Sequence, residues 1–144
     1  MKLLLISFTM FLVATTTYSF AGDKNIPGTV STSFAKHFTG AVNASWSQVG
    51  ILYEVQFEQD KQVYYGFYNE EGDLVVLSRH ISPDMLDTKL QNNLKKYFAE
   101  GYWVTDLFEI KNENSVSYFL IINNADRQLE LKSTENGKWN VFSK

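Results

Sequence analysis

Cysteine is missing altogether from the 144 residues. That excludes a disulfide framework, a thiolate metal site and lipid attachment through a cysteine, so the fold has to rest on packing alone. Proline is almost as scarce, with two residues beside eight glycines, which excludes collagen-like and low-complexity classes. Positive charge is short as well. Thirteen Lys and Arg against sixteen Asp and Glu give a net charge of −3, the wrong field for releasing counterions from a nucleic acid. No Gly-x-Ser-x-Gly elbow, His-Glu-x-x-His pair or phosphate loop is present. Only two histidines are available for acid–base or metal chemistry, His37 and His80.

The chain opens with one positive charge, Lys2, ahead of an apolar run through Val13 and Ala14, and then a weakly polar stretch ending Ser19-Phe20-Ala21. This pattern predicts a secretory signal peptide over 1–21, cleaved before Gly22. Thr15, Thr16 and Thr17 interrupt a run too short to span a membrane, so no membrane anchor is expected after cleavage. The mature chain, 22–144, would be one domain of 123 residues with a net charge of −4. Export without cysteine is commoner in a bacterial periplasm than among small eukaryotic secreted domains. The expected location is therefore periplasmic or secreted from a bacterium.

Two stretches of the chain look alike. Phe34-Ala35-Lys36-His37-Phe38 resembles Leu94-Lys95-Lys96-Tyr97-Phe98, Tyr53–Phe57 lines up with Tyr118–Ile122, and Asn69–Leu74 lines up with Thr134–Trp139. The spacing predicts two repeats, about 29–80 and 81–144, the second carrying about five extra residues that we place at the turn-rich run Lys111–Ser115. Each begins with a helix. Val30, Phe34 and Phe38 form the first stripe, with Thr29 as N-cap and Gly40 as the left-handed stop; Met85, Leu86, Leu90, Leu94, Tyr97 and Phe98 form the second, started by Ser82-Pro83-Asp84 and stopped by Gly101. Period-two alternation then predicts strands near 44–49, 52–58, 62–68 and 74–79, and near 104–111, 117–123, 128–133 and 138–142. The expected fold is α+β: two tandem helix-plus-four-stranded antiparallel meanders merged into one sheet, with the helices on one face.

Val30-x-x-x-Phe34-x-x-x-Phe38, a small-residue link into Val42-x-x-x-Trp46, then Tyr53-x-Val55-x-Phe57 and a hairpin at Glu71-Gly72-Asp73-Leu74 resemble the PepSY-like family of exported bacterial proteins. That family is similar in fold to the beta-lactamase-inhibitor protein, with helices on one side of an open sheet. The resemblance spans nearly all of the mature chain. Thr39-Gly40-Ala41 stands where such sequences often carry a proline after the first helix, and the second unit has Asn and Lys in place of an acidic turn. The resemblance implies a module that binds or restrains another protein rather than an enzyme.

The residues themselves offer little chemistry. His37 lies in the last turn of a helix, where an imidazole helps to cap carbonyls. His80 has Asp84 and Asp87 nearby in sequence, an arrangement read as a solvated helix start rather than a metal site, which wants three or four protein ligands. The turn Glu70-Glu71-Gly72-Asp73 lacks the alternating ligand spacing of a calcium loop and reads as a hairpin. No cofactor, metal or catalytic residue is expected.

The excess is aromatic: eight Phe, seven Tyr and three Trp remain after residue 21. Tyr53, Val55 and Phe57 alternate with Glu54, Gln56 and Glu58, which sets the first group toward the helices. Aligning the repeats turns Tyr64 and Tyr68 the same way, and turns Val63, Tyr65, Phe67, Phe119 and Ile121 outward. These five are the candidate binding residues, and the expected partner is another envelope or secreted protein. Loops, an N-terminal segment or a homodimer partner could equally cover them. A periplasmic sensor of a small ligand, a hydrolase using His80 with nearby carboxylates and a purely structural dimer are the alternatives.

Overall fold

Alternation becomes eight strands, close to where it predicts them. The computed structural model describes residues 26–134 and 136–143, and the expected leader at 1–21 lies outside them. Helix α1 spans Gly28–His37 and is followed by strands β1 (Val42–Val49), β2 (Leu52–Gln59), β3 (Gln62–Tyr68) and β4 (Leu74–His80). A 3-10 turn at Pro83–Met85 leads to helix α2 (Thr88–Ala99), followed by β5 (Trp103–Asn112), β6 (Ser115–Asn123), β7 (Gln128–Ser133) and β8 (Trp139–Ser143).

The helix ends differ from expectation in instructive ways. Pro27, not Thr29, holds the cap position of α1. The Thr29 hydroxyl instead donates to the Glu70 carbonyl at 3.0 Å, tying the helix to the β3–β4 turn. Gly40 keeps ordinary backbone geometry, and α1 closes when the Phe38 N–H donates to the Phe34 carbonyl. Ser82-Pro83-Asp84 launches only the 3-10 turn, because Leu86 is already extended. The operative cap of α2 is Asp87, whose carboxylate accepts from the Leu90 N–H at 2.9 Å. Gly101, at φ +81°, does end that helix.

The run Lys111–Ser115 is not a loop insertion. Lys111 and Asn112 continue β5, the Asn112 side chain accepts from the N–H groups of Asn114 and Ser115, and a two-residue turn leads straight into β6. β5 and β6, at ten and nine residues, are longer than β1 and β2 at eight each.

The strands form one antiparallel sheet in the order β1 to β8. The halves join where Leu77–His80 of β4 pairs with Lys111–Phe108 of β5. Paired residues share a face, so the register fixes which side each presents. On one side α1 packs Val30, Phe34 and Phe38 against Val55, Phe57 and Tyr68. On the same side, reached across Leu77 and Arg79, α2 packs Leu90, Leu94 and Tyr97 against Leu107, Leu120, Ile122, Leu131 and Trp139. Each fully buried side chain of that size contributes roughly 1.5–3 kcal/mol, and so each helix secures its own half. The two cores are separate clusters.

Candidate functional site

The candidate site is the face turned away from the helices. Register places Glu54 opposite Phe67, Gln56 opposite Tyr65 and Glu58 opposite Val63. Moving across the sheet, Phe67 then meets Val76 and Tyr65 meets Ser78; Ser78 meets Ile110 and His80 meets Phe108. Phe108 meets Phe119, Asp106 meets Ile121, and Ile121 meets Glu130. All five predicted residues lie on this face. Phe119 and Ile121 form with Ile110, Val76 and Phe108 a third apolar cluster made of strand residues only. Val63, Tyr65 and Phe67 of β3 are not members of that cluster, although Phe67 pairs with its Val76.

Their exposure differs from the expectation of an open aromatic patch. Phe67 is 5% exposed, and Phe119 and Ile121 are 3% exposed; Val63 and Tyr65 are half-buried. Large side chains on adjacent strands of one face stand about 4.5–5.5 Å apart and shield one another laterally, which a single strand's alternation does not reveal. Phe108, Ile110 and Val76 belong to the same face and were missed, although Phe108 and Ile110 share the parity of Asp106. His80, expected beside Asp84 and Asp87 at a solvated helix start, is the exposed last residue of β4. Its Nδ1 lies 3.8 Å from the Asp106 carboxylate, and its ring lies 4.0 Å from that of Phe108; the sequence neighbour Asp87 instead caps α2.

Polar groups surround the apolar residues of this face: Glu54, Glu58, Asp106 and Glu130, with Lys132 opposite Phe119 and Ser117 opposite Ile110. The Ser47 hydroxyl donates to Glu54 at 2.7 Å. Burial, and then the Glu54 charge, hold the Tyr65 hydroxyl above its ordinary titration range. Ser78 is 1% exposed and its hydroxyl has no hydrogen-bond partner, so no base is in place to activate it.

On the helix side other polar groups pair with one another. His37 Nδ1 lies 3.2 Å from the Tyr68 hydroxyl, a contact that replaces the expected capping of carbonyls, and burial pushes the Tyr68 pKa up to about 12. At the β4–β5 seam Arg79 Nε donates to Glu109 at 2.9 Å, with Lys111 at 3.1 Å. Burial pushes the Glu109 carboxyl up, but these two cations outweigh it and hold it below the ordinary carboxylate range. A hollow of about 170 Å³ between the start of α2 and the β7–β8 turn is lined by Asp87, Lys89, Tyr118 and Gly137, among others. It lies on the helix side and includes none of the predicted residues.

Solved structures with this architecture define the fold class. A DUF2874 family protein from Bacteroides ovatus superposes with a TM-score of 0.73 at 19% identity, covering 85% of this chain and 87% of that one. A BLIP-like protein from Bacteroides fragilis, named for the beta-lactamase-inhibitor protein, gives 0.69 at 14% identity over 82% and 88%. A candidate periplasmic protein from Bacteroides eggerthii gives 0.74 at 14% identity over 83% and 88%. Over the described residues the chain thus has a BLIP-like α+β fold of two α-helices and an eight-stranded antiparallel sheet. No family model and no curated protein matches the sequence.

Proposed function

We propose that the chain is an exported, non-catalytic module that binds or inhibits a protein partner through the sheet face turned away from its helices. The order of helix and four strands, twice over, is read as a duplicated PepSY-like unit. The observation that carries the proposal is the strand-only apolar cluster across the middle of that face. An antiparallel sheet with one side in water ordinarily alternates apolar with polar residues. Here β3 and β6 are apolar on both sides, β5 adds Phe108 and Ile110 to the side away from the helices, and that side is rimmed by Glu54, Glu58, Asp106, Glu130 and Lys132. Buried Phe67, Phe119 and Ile121 then act as the packed floor of the contact. Half-buried Val63, Tyr65 and Phe108 form its outer layer, with Tyr65 as the anchor.

Export is supported by the leader-like residues 1–21 and by the name of the Bacteroides eggerthii neighbour. Among the described residues no helix is long and apolar enough to cross a membrane.

The test is pull-down from the native envelope with the chain from Gly22 onward as bait. A specific partner held by the wild type and lost by Tyr65→Ala, with the melting temperature unchanged, is the expected result. A partner held equally by Tyr65→Ala and by Val63→Asp would remove the sheet face from consideration.

A further inference from the structure

Strand β1 is one edge of the sheet, and its sequence, Val42-Asn43-Ala44-Ser45-Trp46-Ser47-Gln48-Val49, carries no charge and no proline. Edges of soluble sheets are ordinarily blunted by charges, proline or bulges, because an unpaired row of N–H and C=O groups is a template for another strand. The one such device here is a bulge between Val42 and Ser45, with Asn43 at φ 55°. It leaves Ser45–Val49 regular.

The polarity of that regular segment follows from its hairpin. The two-residue turn Gly50-Ile51 closes on the Val49–Leu52 pair, so Val49, Ser47 and Ser45 direct their main-chain groups to β2. Trp46 and Gln48 direct theirs away from the sheet. The geometry points to self-association of this chain through β1, antiparallel about a two-fold axis at Ser47, so that Trp46 and Gln48 of each copy exchange main-chain hydrogen bonds and two sheets become one.

Three features select a second copy over an unrelated strand. The edge is self-complementary, since with no charge on β1 no like charges meet when it faces itself. The register brings Ser47 opposite Ser47, and each hydroxyl is already held by its own Glu54. Ile51, the most exposed large apolar residue among those described at 78%, and Val42 at 56% sit at opposite ends of β1. The two-fold brings the turn residue Ile51 of one copy toward the bulged end of β1, with Val42, of the other. An isologous contact of this kind closes at two chains. The pairing is short, well under the area of a standard interface, which sets the expectation of a weak dimer.

Sedimentation equilibrium of the chain from Gly22 onward should show a concentration-dependent monomer–dimer mixture. Gln48→Pro removes an outward N–H without touching the β1–β2 ladder, and it should raise the dimer dissociation constant by roughly tenfold or more at unchanged melting temperature. Because the chain has no cysteine, Ser47→Cys should cross-link to itself as a disulfide dimer under mild oxidation, as non-bonded antiparallel pairs permit, whereas Ser31→Cys on α1 should not. A chain that stays monomeric at high concentration, a dimer insensitive to Gln48→Pro, or a dimer in which Ser47→Cys does not cross-link would each overturn the proposal.

Discussion

At the scale of single residues, two polar groups at the β4–β5 join behave oppositely because only one has partners. Ser78 has its hydroxyl buried without a hydrogen bond, so it has lost water and gained nothing. Ser78→Ala should therefore leave stability unchanged or raise it by up to about 1 kcal/mol, as read from urea denaturation midpoints. Glu109 is the reverse case, a half-buried carboxylate held by Arg79 and Lys111. Its folded pKa lies below the unfolded value, so its contribution is fully present above the ordinary carboxylate range near pH 4. That contribution is lost as pH falls through the depressed folded value. Glu109→Gln should cost about 1–3 kcal/mol at neutral pH, and the difference from wild type should shrink on acidification below about pH 4.

At the scale of elements, the turns decide more than the strands do. Gly72 sits at φ +88°, and a Cβ there would stand 2.8 Å from the Ser33 hydroxyl and 3.0 Å from the Thr29 carbonyl. This is where α1 rests on the β3–β4 turn through the Thr29–Glu70 hydrogen bond. Gly72→Ala combines left-handed strain with a backbone clash and should cost about 1–3 kcal/mol, lowering the melting temperature. Strands were legible in the sequence because hairpin turns punctuate alternating runs: β3 and β7 start and end where the pattern places them. The start of α2 was not legible. Ser82-Pro83-Asp84 satisfies every local rule for a helix start, yet Asp87 wins because its side chain reaches the Leu90 N–H, a competition that residue types alone do not rank. The exposure of the candidate site was equally hidden. Facing is a property of one strand and was read correctly for Tyr65 and Phe67. Shielding depends on which strand lies alongside, and the pairing of Phe108 with Phe119 and of Phe67 with Val76 emerges only in the assembled sheet.

At the scale of the whole molecule, one continuous sheet carries two separate cores. On the helix side the seam between them carries, beside Leu77, the ion pairs of Arg79, Glu109 and Lys111. The apolar cluster that crosses the seam is on the other side, where Val76 of β4 joins Ile110 and Phe119. Separate packing of this kind is what weakly coupled cooperative units share. The far-side cluster, where the proposed partner would sit, is then the apolar link between the halves. Any molecule gripping it would clamp both halves at once, so recognition and mechanical stiffness would be the same event.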